Sequence, residues 1–135
     1  MEHFFKPGRL YAVAGASSNP DKFGFKVLQW YKDRKMPVTP INPRKEVILD
    51  MQSVDDVKDI QVPEGGAGVG LSVVTPPAIT KELLKEVGKM NGAVQAVWLQ
   101  PGTHDEEVIS IANKAVPYVI KDCILVNGDR YLSKL

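Results

Sequence analysis

Short apolar runs alternate with amphipathic stretches along the whole chain. Leu10-Tyr11-Ala12-Val13-Ala14 is a compact apolar run of the kind that forms a buried strand. A helix follows over residues 23–35, with Phe23, Val27, Leu28 and Tyr31 recurring at helical spacing. Val38-Thr39-Pro40-Ile41 reads as a second strand, stopped by Asn42-Pro43. Residues 46–51 offer a short edge strand, and Ser53-Val54-Asp55-Asp56 opens a short helix. Val69-Gly70-Leu71-Ser72-Val73-Val74 is apolar on both faces, as a central strand is. At Thr75-Pro76-Pro77, Thr75 is a candidate helix cap and a proline suits the first turn. That helix carries Ile79, Leu83, Leu84, Val87 and Met90 on one side and ends at Asn91-Gly92. Residues 93–99 form a further strand, closed by Gln100-Pro101-Gly102. Thr103-His104-Asp105-Glu106 has the spacing of a capping box, opening a helix with Val108, Ile111, Ala112 and Ala115 inward. Pro117 breaks it, and residues 118–121 make a last short strand. Beyond Cys123, Asn127-Gly128 signals a turn, as in a small hairpin.

Strands alternating with helices imply a parallel sheet with right-handed crossovers. The expected fold is α/β: three layers, Rossmann-like, with a doubly wound parallel sheet of about five strands. One domain is expected over residues 1–135, with its core over about 6–123 and no element assigned to the tail at 124–135 beyond the hairpin signal. In such sheets ligands sit at the carboxyl ends of the strands, where the strand order reverses. That rule selects residues 15–24, 42–45, 75–77 and 100–102, which all break sharply at Gly or Pro and are expected to share one cleft.

Composition narrows the partners. The 135 residues are 44% hydrophobic and 24% charged, with a formal net charge of +1. No broad field draws nucleic acid or an anionic membrane, although a local cationic site is compatible. No apolar run approaches the roughly 20 residues of a membrane span. The start, Met1-Glu2-His3-Phe4-Phe5-Lys6, lacks the pattern of a secretory signal. Cys123 is the single cysteine, so no intrachain disulfide forms and a reducing cytoplasmic compartment fits. The partner expected is a small-molecule nucleotide, and no protein partner is indicated.

The first strand opens through Gly15-Ala16-Ser17-Ser18-Asn19-Pro20 into a helix, a geometry whose amides and helix dipole bind anions. The loop departs from the dinucleotide fingerprint G-x-G-x-x-G: no second glycine lies two positions after Gly15, and the next is Gly24. The second strand ends in Asn42 and Pro43 rather than the acid that holds an NAD ribose. A 2′-phosphate near Arg44 and Lys45 stays compatible. The loop also lacks G-x-x-x-x-G-K-[ST], so it is no seat for a triphosphate and magnesium. Lys22, Lys26, Arg44 and Lys45 suit a ligand with several phosphates and no metal.

Taken together, Gly15-Ala16-Ser17, Lys22-Phe23-Gly24, Pro40-Ile41-Asn42-Pro43, Thr75-Pro76-Pro77, Trp98-Leu99-Gln100-Pro101-Gly102 and Asp122-Cys123 resemble the small, stand-alone CoA-binding proteins. That family is similar to the CoA-binding domain of the succinyl-CoA synthetase alpha subunit. The likeness spans about residues 6–123. It implies a Rossmann-like domain that binds coenzyme A or an acyl-CoA. On that resemblance Gly15, Ala16 and Ser17 meet the pyrophosphate, as loop and helix physics also suggests, and Lys22 helps neutralise it. The resemblance also sets Asn42, Pro43 and Arg44 by the adenosine and its 3′-phosphate, Thr75 and Pro76 along the adenine or pantetheine side, and Gln100 on the far wall. It stops short of the synthetase's second domain with its phosphorylated histidine, so no ligase reaction is expected.

Each of these residues also has a plainer reading. Gly24 first of all lets the helix lie close to the sheet. Ser17 and Ser18 are ordinary cap residues, Lys22 and Arg44 are equally at home on a solvated surface, and Gln100 can serve its own turn. Trp98 reads as core, His104 as surface, and Cys123 as a small buried hydrophobe before a reactive thiol. No carboxylate pair, metal-spaced His/Cys set or adjoining nucleophile and base stands out. The expected function is therefore a non-catalytic CoA-binding or regulatory protein. The alternatives are a small NAD(P)-linked or acyl-CoA-transforming enzyme, and a partner-binding subunit whose cleft stays empty.

Overall fold

The structure, a computed structural model, describes residues 3–134. Strand β1 (Leu10–Ala14) leads through the glycine-opened loop into α1 (Phe23–Asp33) and β2 (Val38–Ile41). A hairpin of β3 (Val47–Ile48) and β4 (Met51–Gln52) and a 3-10 turn (Val57–Asp59) come before β5 (Val69–Val73). The chain then runs α2 (Pro77–Gly88), β6 (Val94–Leu99), α3 (Glu106–Ala115), β7 (Tyr118–Lys121) and α4 (Ile124–Leu132).

The main sheet has five strands in the order β2-β1-β5-β6-β7, and every neighbouring pair is parallel. The expected Rossmann-like sheet is therefore present. Strand order reverses between β1 and β5, because the chain first builds outward to β2 and then returns past β1. Pro40 removes one ladder donor from β2 but sits on an edge strand, where the loss is tolerated.

Side chains alternate across the sheet, as the pleat requires. Ala12, Ala14, Leu71, Val73, Val97 and Leu99 face a layer closed by Leu84, Val87, Val108 and Ala112 of α2 and α3. Tyr11, Val13, Ala96, Trp98 and Ile120 face the opposite layer, with Val27, Leu28, Trp30 and Tyr31 of α1 and Ile124 of α4. Phe4 and Phe5 are buried in this second layer, so the core begins before residue 6.

Several sequence expectations need correction. The tail is no hairpin: Asn127 and Gly128 lie inside α4. A Cβ on Gly128 would sit 2.5 Å from Trp30 Cζ2 and 2.8 Å from Ile124 Cγ1, so the glycine marks a close helix–helix approach rather than a turn. Residues 46–51 belong to a two-stranded antiparallel hairpin off the main sheet, turning at Leu49 and Asp50, both with positive φ. The short helical turn after it starts at Val57, not at Ser53. Thr75 does not cap α2: its hydroxyl pairs with Thr80 Oγ1 at 2.8 Å, and Pro76 stands at the cap position. Asp105, not Thr103, caps α3 by accepting the Val108 N–H at 2.9 Å. The Thr103 hydroxyl donates instead to the Gln100 carbonyl at 2.6 Å. Phe23 and Ile79 share the helical spacing of the apolar faces of their helices, yet they are 60% and 56% exposed. Both stand on the carboxyl rim of the sheet, where helices begin and no second layer covers them.

Candidate functional site

Three adjoining cavities follow the carboxyl rim of the sheet. One, of about 330 Å³, lies off the ends of β1 and β2 and includes Gly15, Ile41, Pro43, Thr75 and Ile79 in its walls. A central one, of about 400 Å³, lies between Gly15, Lys22, Gly24, Val74, Thr75 and Pro76. The third, of about 140 Å³, lies beyond Phe23 and Val74, among Gln100, Pro101, Thr103 and Cys123. Gly15 and Thr75 belong to the first two, and Phe23 and Val74 to the last two, so the three form one continuous rim. Thus the breaks after β1, β2, β5 and β6 open on the same side of the molecule.

The centre of the rim is the point where strand order reverses. Gly15 has φ +90°, and a Cβ there would lie 2.7 Å from Val74 Cγ2, so a side chain would close the crevice between β1 and β5. A Cβ on Gly24 would collide with the Gly15 carbonyl oxygen. Its absence lets the start of α1 press directly on the loop. Lys22 occupies the cap position of α1 without any side-chain cap. The first amides of a helix lack an intrahelical partner, no cap side chain serves those of Phe23 and Gly24, and both residues stand in the wall of the central cavity.

Other expected site residues shape the loops. Ser17 Oγ accepts the Asn19 N–H at 3.1 Å, and Asn19 Oδ1 accepts the Asp21 N–H at 3.0 Å, which fixes the turn ahead of α1. Ala16 and Asn42 are buried. Asn42 Nδ2 donates to the Ala16 carbonyl at 2.9 Å, and its Oδ1 accepts the Arg44 N–H at 2.7 Å. The break after β2 is thereby tied to the loop after β1. Arg44 is exposed beside this junction, and Lys45 pairs with Asp55 at 3.5 Å. Gln100 is buried, and its Oε1 accepts the Ile124 N–H at 2.7 Å, so its side chain caps α4. Its Nε2 lies 3.5 Å from Cys123 Sγ.

The structure thus brings Gly15, Lys22, Pro43, Thr75 and Pro76 to the rim's open surfaces and Gln100 to the wall of the smallest cavity. Ala16, Ser17 and Asn42 fix the loops through the hydrogen bonds just described. Sequence reasoning missed Phe23, Val74 and Ile79 as rim residues because apolar side chains at helical or strand spacing read as core. It also missed the carboxylates Asp55, Asp56, Glu82 and Glu86 around the first cavity, which come from elements distant in sequence. Exposed or half-buried acids on helix and turn surfaces carry no signal by themselves. Two further cavities lie at the opposite edge of the sheet, around Lys6 and Arg9, away from all four breaks.

The CoA-binding domain family matches the chain over residues 9–129, a span that contains every break on this rim. The chain belongs to that family. A curated CoA-related relative is the alpha subunit of an ADP-forming acetate–CoA ligase II from Pyrococcus furiosus, 29% identical over 124 residues. The match covers 84% of this chain but 26% of the relative, so the chain spans about a quarter of that protein's length. Solved structures agree in fold. A conserved hypothetical protein from Pyrococcus furiosus is 29% identical, with a TM-score of 0.74, covering 88% of this chain and 98% of that one. A Thermus thermophilus protein is 26% identical, with a TM-score of 0.76, covering 92% and 90%. Membership of a CoA-binding domain family suggests a small-molecule ligand. Among the described residues no helix is long and apolar enough to cross a membrane.

Proposed function

We propose that this chain is a coenzyme A-binding module that grips the coenzyme by its pyrophosphate at the loop between β1 and α1 and carries out no reaction of its own. The observation that supports this most is the uncapped start of α1 opening on the crevice between β1 and β5, in a chain of the CoA-binding domain family. In this reading the amides of Gly15, Ala16 and Ser17 meet the pyrophosphate and Lys22 offsets its charge. The adenosine lies in the cavity floored by Ile41, Pro43 and Ile79, whose apolar surfaces suit a purine. The carboxylates around that cavity repel phosphate, which steers the 3′-phosphate outward to Arg44. Asn42 keeps the two loops in register, Thr75 and Pro76 flank the pantetheine arm, and Gln100 forms the far wall.

Calorimetric titration with CoA tests this directly. Heat of binding and a rise in melting temperature are expected. No heat and no thermal shift at millimolar CoA would overturn the reading. Ser17→Asp sets a carboxylate against the pyrophosphate and weakens CoA binding by about tenfold or more, ~1.4 kcal/mol. Turnover of acetyl-CoA or NADPH by the pure protein would replace the binding role with an enzymatic one.

A further inference from the structure

The smallest cavity is the most enclosed of the three and, like the first, is lined mainly by apolar surface. It opens onto the central cavity past Phe23 and Val74, so it lies one step beyond the proposed pyrophosphate grip on the side away from the adenosine. We propose that this cavity receives the thioester end of a bound acyl-CoA and selects short acyl groups, a subsite that rests on the CoA reading above.

Size sets the limit. An apolar cavity of about 150 Å³ holds a molecule the size of benzene, about six non-hydrogen atoms. This one measures about 140 Å³. The thioester sulfur and carbonyl use three of those positions, which leaves room for about three further carbons. Acetyl, propionyl and butyryl groups fit; a decanoyl chain does not.

The walls have little freedom to widen. Gln100 and Thr103 are 3% and 4% exposed. The Thr103 hydroxyl is bonded to the Gln100 carbonyl, the Gln100 amide oxygen to the Ile124 N–H, and the Gln100 backbone N–H to the Val73 carbonyl. Enlarging the cavity therefore means breaking hydrogen bonds at a buried junction of β5, β6 and α4, a larger penalty than moving a free side chain. Polar recognition comes from the same residue. The Gln100 amide has two N–H groups, and one of them reaches Cys123 Sγ. The other is the donor for the thioester carbonyl.

Affinities of the purified protein for CoA, acetyl-CoA, butyryl-CoA and decanoyl-CoA test the subsite by calorimetry. The first three should agree within about threefold, and decanoyl-CoA should bind at least about tenfold more weakly, because an overfilled cavity is destabilised. Phe23→Ala removes the exposed ring that separates the small cavity from the central one and should shrink the decanoyl penalty to below about threefold. Cys123 supplies a second readout, since it is the chain's one cysteine and lines the cavity. Butyryl-CoA should slow its alkylation by iodoacetamide about tenfold or more, whereas adenosine 3′,5′-bisphosphate, which lacks the pantetheine arm, should not. If decanoyl-CoA binds as tightly as acetyl-CoA, or if both ligands protect Cys123 equally, the subsite is overturned while CoA binding stands. If neither CoA nor any thioester binds, the CoA reading itself falls and takes the subsite with it.

Discussion

The two faces of the sheet are built from different materials. The face under α2 and α3 is aliphatic: Leu71, Val73, Val97 and Leu99 meet Leu84, Val87, Val108 and Ala112. The face under α1 and α4 is aromatic, with Phe4, Phe5, Tyr11, Trp30, Tyr31 and Trp98 in mutual contact. Aliphatic side chains pack by shape alone, and consecutive strand–helix units supply them in order. Aromatic side chains carry polar edges, and the molecule provides partners for several of them. The Trp98 indole N–H donates to the Asp122 carbonyl at 2.6 Å, and the Tyr31 and Ser72 hydroxyls meet at 2.7 Å inside the core. Burial drives the Tyr31 phenol well above its usual range, so it stays neutral there. The aromatic face also draws on both ends of the chain, which the aliphatic face does not. Closure of the second layer is thus a long-range event, whereas the first is assembled from neighbours in sequence.

The largest expected effect breaks the aromatic layer at its most distant contributor. Phe5→Ala should cost about 3–5 kcal/mol in urea unfolding, no less than the ~2–5 kcal/mol of Leu84→Ala in the aliphatic layer. A loss below about 1 kcal/mol would mean that the N-terminal segment merely rests on the fold. Glycines sharpen the contrast further. Gly128→Ala pushes a methyl into the Trp30 ring and should destabilise by about 1–3 kcal/mol, despite alanine's better helix propensity. Gly88→Ala, at the end of α2, meets nothing nearer than Ala115 Cβ at 3.9 Å and should stabilise by about 0.4–1 kcal/mol. Equal signs for the two would remove the distinction between the faces.

Tyr31→Phe leaves the Ser72 hydroxyl buried without its partner and should cost about 1–3 kcal/mol. Adding Ser72→Ala should recover part of that loss in a double-mutant cycle. The smallest effect is one of pH. Burial pushes the Asp122 carboxyl up, but hydrogen bonds from Asn127, the Cys123 N–H and Tyr131, with the Arg130 charge, more than offset it and hold it below 3.8. Its contribution to stability is present above the ordinary carboxylate range and is lost as pH falls through the lower native value. Asp122→Asn should therefore be less stable than the parent at neutral pH. The gap in melting temperature should close as the pH falls through that lowered native value.

Much of the rim was legible because its signals are local. Gly15, Asn42-Pro43, Thr75-Pro76 and Gln100-Pro101 each interrupt an apolar run, and the rule for parallel sheets sends all of them to one edge. The roles behind that edge were not legible. Gln100 caps a helix that the local pattern did not reveal, because Asn127 and Gly128 look like a turn until Trp30 is seen packed against them. Asp105 outcompetes Thr103 as the cap of α3 because Thr103 is already bonded to Gln100. Phe23 and Ile79 repeat with the helical period yet face outward, since the first turn of each helix overhangs the rim.

Periodicity and chain breaks alone carry the alternation of strands and helices, the parallel sheet and the edge where the four breaks gather, because each depends on neighbours a few residues apart. Folding adds the aromatic layer closed by Phe4, Phe5 and α4, the division of the rim into three cavities and the commitment of Gln100 to Ile124. These rest on contacts between residues far apart in the chain, and one-dimensional patterns hold no record of which distant surfaces will meet.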